Sequence, residues 1–377
     1  MNPYDFARID WNKPPQREMP VWHNRLTSTG TDPLYSGSIE VDVYVETPLF
    51  IADPRTAPTD PRRAAQSIKN KLGEYIIPGS SLKGMLRTVV ETLGNGCMTL
   101  FDGSYERNSV NYRREVPVAF QKCDDNTNLC IACRTFGMLK ERTRGVFLGK
   151  VNIGDAVVDK ERLYTYDPIY TAVLVEPKPH HADFYLEKGG RHIAGRKYYF
   201  HHSQDKEPLT ADRLILMGGR PANRYIRPLD IETRFHFRLD FTNLTKDEFG
   251  VLLLAVRLED DMRHKIGYGK PLGLGSIELR PISMMLIDYS TRYTQTGAGH
   301  SKRTVKGDDV WNVIDGYIRD FSMTGLVHIA MEDLRRIWGW PPNPDVDYYY
   351  PSKRDWFDTD DSIGKRIVDT RNVPRQS

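Results

Sequence analysis

No stretch of this chain approaches the 18 or more consecutive apolar residues that a membrane-crossing helix needs, so a membrane span is not expected. Charge of one sign is also missing. The 53 Lys and Arg residues stand against 50 Asp and Glu, which excludes an acidic solvating tail and a uniformly basic nucleic-acid coat. Cysteine is scarce and confined: all four lie between Cys97 and Cys133. A disulfide framework would spread them along the chain, so crowding in one window points to reduced thiols and a metal site. Residues 1–22 are polar and rich in proline rather than carrying the apolar core of a secretory signal, and the expected location is the cytoplasm. What remains is a globular composition, 39% hydrophobic and 27% charged over 377 residues. At about 150 residues per domain, that length suits two or three domains or one domain enlarged by insertions.

The clearest periodicity is the alternation of Ile39, Val41, Val43 and Val45 with Glu40, Asp42, Tyr44 and Glu46, which predicts a half-buried strand. Residues 47–75 follow as a loop of unusual length carrying Asp53, Asp60, Arg62 and Arg63. Leu82, Met85, Leu86, Val89 and Val90 then recur at helical spacing, predicting a helix over 81–93 that stops at Gly94 and Gly96. A strand is expected over 147–158. Thr233, Phe235, Phe237, Leu239 and Phe241 alternate with charged residues as a further strand beginning near Ile231. Thr245 and Glu248 have the capping-box spacing at the start of a helix over 246–258. A glycine loop, 267–275, enters a short strand over 276–279. The order β-α-β then β-α-β favours a split sheet with helices on one face. Val310, Trp311, Ile314 and Ile318, and then Leu334, Ile337 and Trp338, mark two short helical patterns, and beyond Pro341 an extended tail is expected.

Several groups carry chemistry. Cys130 and Cys133 have the two-residue separation of a zinc knuckle, Cys123 can return to the same ion across the polar run 124–128, and Cys97 sits just past the first helix. These four predict a closed structural zinc site, with His180 or His181 as other sources of the fourth ligand; four unliganded core thiols are the plainer reading. At Ile77-Pro-Gly-Ser-Ser-Leu-Lys-Gly-Met-Leu-Arg87, Gly79 would free a tight turn, Ser80 or Ser81 would cap the helix, and Lys83 and Arg87 would put two cations on one face. That suits a phosphodiester backbone, and equally an ordinary capped helix with solvated cations. The glycine loop matches neither a dinucleotide fingerprint nor a Walker loop. A sheet turn would account for Gly267 and Gly269, but Arg263, His264, Lys265 and Lys270 beside them would admit a nucleic-acid backbone. Residues 191–227 hold eight Lys or Arg against three Asp or Glu, so the basic charge is local, as a binding surface would have it.

Taken together, the first motif, Cys130-x-x-Cys-Arg-Thr-Phe-Gly137, and Gly-x-Gly-Lys-x-Leu-Gly-x-Gly resemble the RAMP superfamily of type III CRISPR effectors, and within it the Cas-seven-like backbone subunits. The tract 195–202 and the late Tyr349 to Pro351 further resemble the large type III-D and fused-effector variants. The similarity spans residues 38–282. It implies an α+β, ferredoxin-like fold related to RNA-recognition motifs, with a βαββαβ core. Five regions follow: an N-terminal arm (1–37), a first core half with acidic loop and zinc-binding insertion (38–158), a basic and aromatic thumb (159–229), a second core half (230–284), and a C-terminal helical extension (285–377).

The resemblance also implies that Ser80, Ser81, Lys83 and Arg87 hold a guide CRISPR RNA, with Lys265 to Lys270 along the same groove. A thumb hairpin would kink the guide–target duplex; Arg196, Lys197, Tyr198, Tyr199, Phe200 and Tyr225 are the residues to expect there. Partners would be guide RNA, complementary target RNA and other effector subunits. Relatives often cleave target RNA with an acidic residue before the Pro-Gly-Ser-Ser helix, which singles out Asp60 and then Asp53 as ligands of Mg or Mn. Asp60 precedes Pro61, however, and Asp-Pro commonly starts a turn. A non-catalytic scaffold that only spaces the duplex is the other reading, and a guide-processing nuclease using His201 or His202 is a third.

Overall fold

The computed structural model describes residues 1–25, 33–53, 60–98, 116–139, 146–174, 185–187, 192–294 and 301–350. The alternating run at residues 39–45 lies in the strand Tyr35–Val45, with Ile39, Val41 and Val43 fully buried. Its two long neighbours, both antiparallel, are Arg234–Leu244 and Ser276–Ile287. They anchor an eight-stranded sheet ordered His264–Lys265, Ser276–Ile287, Tyr35–Val45, Arg234–Leu244, Ala156–Val158 and Ile76–Ile77, with Lys302–Lys306 against Ser276–Ile287 and Val151–Ile153 against Arg234–Leu244. Chain order therefore reads fourth, first, third, second across the principal strands. The last core strand is longer than its sequence signal, twelve residues instead of four, because its second half has the bulge and mixed burial that hide a period of two. The strand expected over 147–158 is three short ones, Val146–Leu148, Val151–Ile153 and Ala156–Val158.

Helices Gly79–Leu93 and Lys246–Arg257 cover one face of this sheet, and Asp308–Thr324 packs on the latter. Thr245 and Glu248 form the expected capping box. Phe235, Phe237, Phe241 and Phe249 are fully buried; at about 1.5–3 kcal/mol for each large side chain, they carry much of the core. The other sheet face keeps its charges: His236 lies between Asp42 (2.9 Å) and Glu40 (3.0 Å), and Tyr44 is flanked by the guanidiniums of Arg234 and Arg280. Within the core, one buried carboxylate is heavily used. Glu248 binds Lys150 and Arg134 (3.1 Å), and Arg134 reaches Glu18 (2.8 Å).

The first helix begins at Gly79, two residues before its expected start, and no serine side chain caps it. Instead the Gly79 N–H donates to Asp155 Oδ1 at 2.8 Å. Glycine is required here by close approach rather than by a turn, since a Cβ would sit 2.1 Å from Ile153 O. The N-terminal region runs along the body: Tyr4–Ala7 pairs with Arg196–Tyr199, and Arg17–Glu18 with Leu129–Cys130. The described residues of 159–229 divide into two parts. Tyr198 and Phe200 belong to the main core, whereas Ile169–Thr171, Thr210–Ala211 and Tyr225–Arg227 form a small sheet with Ala65–Gln66. From it projects the hairpin Leu216–Met217 and Arg220–Pro221.

Candidate metal centre and nucleic-acid interface

The helix Ile131–Phe136 starts directly after Cys130 and carries Cys133 on its first turn. Cys97 comes in just past helix Gly79–Leu93 and Cys123 from the segment before the strand Leu129–Cys130. The four sulfurs lie within 4.8 Å of one another, and all four residues are buried. The thiols are free. Cys97 Sγ and Cys133 Sγ are 3.7 Å apart, close to the edge of about 3.8 Å that a tetrahedron with metal–sulfur bonds of about 2.3 Å requires. Backbone N–H groups point at two of the sulfurs, Cys97 N at Cys130 Sγ (3.4 Å) and Cys130 N at Cys123 Sγ (3.3 Å). Among themselves the thiols share protons: Cys130 is pushed down by hydrogen bonds from Cys123, Cys133 and Cys97, while Cys133 is pushed up, first by its bond with Cys123. This donor set, four soft sulfurs in one buried cluster, can hold a metal such as zinc. The four cysteines that come together are those named from spacing; His180 and His181 lie outside the described residues.

Next to this centre, helix Gly79–Leu93 presents Ser80 exposed and Ser81 and Lys83 half-buried. Lys83 Nζ donates to Val151 O (2.9 Å), and burial together with Arg87 lowers its pKa. Arg87 does not point to solvent. Its guanidinium donates to Glu91 Oε1 (2.8 Å), Gly137 O (2.9 Å) and Cys133 Sγ (3.6 Å).

The strand Arg196–Tyr199 separates residues that stand side by side in the sequence, because successive strand side chains point to opposite faces. Arg196 and Tyr198 face the helix: Arg196 donates to Gly96 O (2.8 Å) and Cys97 O (2.9 Å), and the Tyr198 hydroxyl donates to Thr88 O (3.0 Å). Lys197 and Tyr199 face the other way. There the Lys197 ammonium lies 3.6 Å from the Tyr4 ring centre and 4.9 Å from that of Tyr199, and Tyr350 and Tyr185 close the group. Lys270 is 6.0 Å from the same Tyr199 ring and donates to Gly267 O (2.8 Å), while Lys265 donates to Ser276 Oγ (3.0 Å). None of the three lysines forms an ion pair with a described carboxylate. Burial, and then repulsion from Lys270, lowers Lys265 to about 7 and Lys197 to about 8. Such an assembly of cations is stabilised by an anion.

The glycine loop holds this cluster in place. Gly267, Gly269, Gly273 and Gly275 all have positive φ, and a Cβ on Gly275 would stand 1.9 Å from Ile266 O. His264 is buried, its Nε2 donating to Ala255 O (2.8 Å). His201 is held between Ser276 Oγ (2.8 Å) and Arg263 O (3.0 Å), and burial pushes it and His202 (to about 3) well below the usual imidazole range. Both rings are withdrawn from solvent, His201 at 1% and His202 at 6% exposure. Asp60 is exposed, and its Oδ1 accepts from the Arg62 N–H (2.9 Å) in a turn; Asp53 is buried. Sequence reading passed over two features. Asp155 at the helix start carries no local signal, since only folding brings it there. Leu216 and Met217, 58% and 56% exposed beside the Gly218-Gly219 tip, are apolar yet unburied; the Gly-Gly turn was the available clue.

A family model for the RAMP superfamily matches residues 42–278, well over half of the chain. No curated protein matches it.

Proposed function

Because the chain belongs to the RAMP superfamily, we propose that it is a Cas-seven-like, CRISPR-associated subunit that binds guide RNA through its phosphates. The observation that carries this reading is the pair Lys197 and Lys270, two lysines beside the Tyr199 ring with no described carboxylate partner, with Lys265 buried next to Lys270. A subunit that accepts any guide needs backbone contacts, which cations supply without reading bases. Ser80, Ser81 and Lys83 are our further candidates for phosphate contacts, while Gly267 and Gly269 pack closely on Phe50 and Leu274 and so shape the loop that carries Lys270. The strand order fourth, first, third, second supports a ferredoxin-like core. The apolar, basic-flanked hairpin at Leu216 to Arg220 is our candidate for the thumb that enters a guide–target duplex, in place of the buried Tyr198 and Phe200. The cysteine centre is a structural zinc site that keeps the helix end in position. We read the chain as nearest the large type III-D or fused-effector variants, with target RNA and other effector subunits as its further partners.

Double replacement of Lys197 and Lys270 by Ala should weaken binding of unrelated RNAs alike and lower the salt slope by about one for each phosphate no longer held. A weakening restricted to one RNA sequence would overturn the reading. For cleavage, Asp60 is the candidate ligand of Mg or Mn, exposed in the loop that precedes the first helix. Its use as a turn acceptor favours the second reading, a scaffold that spaces the duplex without cutting it. Assembled complex with wild-type or Asp60→Ala subunit, assayed on guide-complementary RNA with and without Mg²⁺, separates the two: cutting that needs both Asp60 and Mg²⁺ supports the nuclease.

A further inference from the structure

We propose that Arg87, Glu91 and Arg196 form an ion-pair brace for the four-cysteine centre, in which Arg87 is a positioning residue that hydrogen-bonds a metal-bound sulfur and does not hold RNA. This rests on the reading of the cysteines as a metal site and not on the RNA interface.

Four thiolates around one divalent cation carry a net charge of −2. Cys97 and Cys130 are 0% exposed and Cys123 and Cys133 only 3% and 2%, so that charge is withdrawn from water and needs compensation from the protein. Two backbone N–H groups, those of Cys97 and Cys130, supply part of it. Arg87 supplies the positive charge: Nη2 is 3.6 Å from Cys133 Sγ, while Nη1 is fixed at 2.9 Å on the carbonyl of Gly137, the residue that ends the Cys133 helix. A guanidinium is suited to this because its planar fork reaches two acceptors at once without losing charge.

Glu91 sets the orientation. Its Oε1 accepts from Arg87 Nε (2.8 Å) and its Oε2 from Arg196 Nη1 (3.2 Å), and Glu91 is itself 6% exposed. Arg196 then grips the chain on the far side of the centre, at Gly96 O and Cys97 O. The brace thus touches the backbone at Cys97, where the cysteine window begins, and at Gly137, where the Cys133 helix ends, and ties them to one helix. Outer partners of this kind hold ligands in place and neutralise the charge that ligation would otherwise bury.

The test uses the full chain loaded with zinc and a chromogenic chelator as competitor. Arg87→Met should weaken zinc retention by about 10–100-fold, and Glu91→Gln, which leaves Arg87 in place but unaligned, by less. In the cobalt-substituted protein the sulfur-to-metal charge-transfer bands should shift in both. RNA affinity at saturating zinc should be unchanged. If Arg87→Met does not fold, Arg87→Lys keeps the charge and loses the fork, and weaker zinc retention is still expected. Undiminished zinc retention with weakened RNA binding would overturn the brace and return Arg87 to a phosphate. A wild type that holds no zinc would overturn the metal reading and the brace with it, leaving the RNA interface untouched.

Discussion

The two faces of the strand Arg196–Tyr199 answer the same physical problem in opposite ways. On one face, Arg196 and Tyr198 meet a region of matched charges: Arg87, Glu91 and Arg196 form a chain of ion pairs against four buried thiols. On the other, Lys197 faces tyrosine rings and a further lysine, Lys270, without a described carboxylate. The first face is electron-rich and suits a cation; the second is cationic and suits an anion. One strand of four residues therefore turns its even-numbered side chains to the helix and the cysteines and its odd-numbered ones to tyrosine rings and a lysine, and their neighbourhood in sequence says nothing about which does which.

If the cysteine face is a stability device, breaking it should cost most. Cys130→Ser should abolish zinc binding and lower stability by several kcal/mol, within the roughly 10–16 kcal/mol that structural zinc contributes in small metal-dependent folds. Metal analysis and thermal unfolding check this, and a metal-free, fully stable wild type would refute it. A smaller effect is expected from the neighbouring network. Glu248→Ala leaves Lys150 and Arg134 buried together, and chemical denaturation should show a loss of about 3–5 kcal/mol, with RNA affinity at native conditions unaltered. A loss confined to RNA binding would mean that the two faces are not separate.

Smallest per unit of pH, and most discriminating, is the pH response of the lysine face. Lys265 and Lys197 are depressed in the folded protein to about 7 and 8, below the usual value of about 10.4. The unfolded chain therefore holds more protons between pH 7 and 10, so stability should rise with pH across that window, by at most about 1.4 kcal/mol per unit for each group. RNA affinity should move the other way. Well below pH 7 both ammoniums are charged; above pH 8 each must take up a proton on binding, and affinity should fall by up to about tenfold per unit for each such lysine. Binding isotherms at pH 6.5 and 9 and constant ionic strength, with Lys265→Met as control, check the sign. Equal slopes in stability and affinity would dissolve the contrast between the faces.

Much of this was legible before folding. Ile39 to Val45 and Phe235 to Phe241 announced their strands because burial on one face of a sheet imposes a period of two; Thr245 and Glu248 announced their helix because a capping box is a local exchange of hydrogen bonds. The cysteine centre was equally open to reading, since Cys130 and Cys133 are close in the chain and metal geometry restricts spacing. What depends on distant segments was not. Arg87 follows Lys83 by one helical turn and reads as its partner on an RNA surface, yet its acceptors, Gly137 and Cys133, come from 50 and 46 residues away. Asp155 takes the place expected of a serine cap from a position 76 residues on. Lys197, Lys265 and Lys270 become one anion-seeking group only when Tyr4–Ala7 pairs with Arg196–Tyr199 and the glycine loop folds beside them. Sequence by itself determined which residues can be buried and which elements they form, because those depend on near neighbours; tertiary structure alone decided which charges are matched and which are left over, because Coulomb and hydrogen-bond partners are chosen by proximity in space.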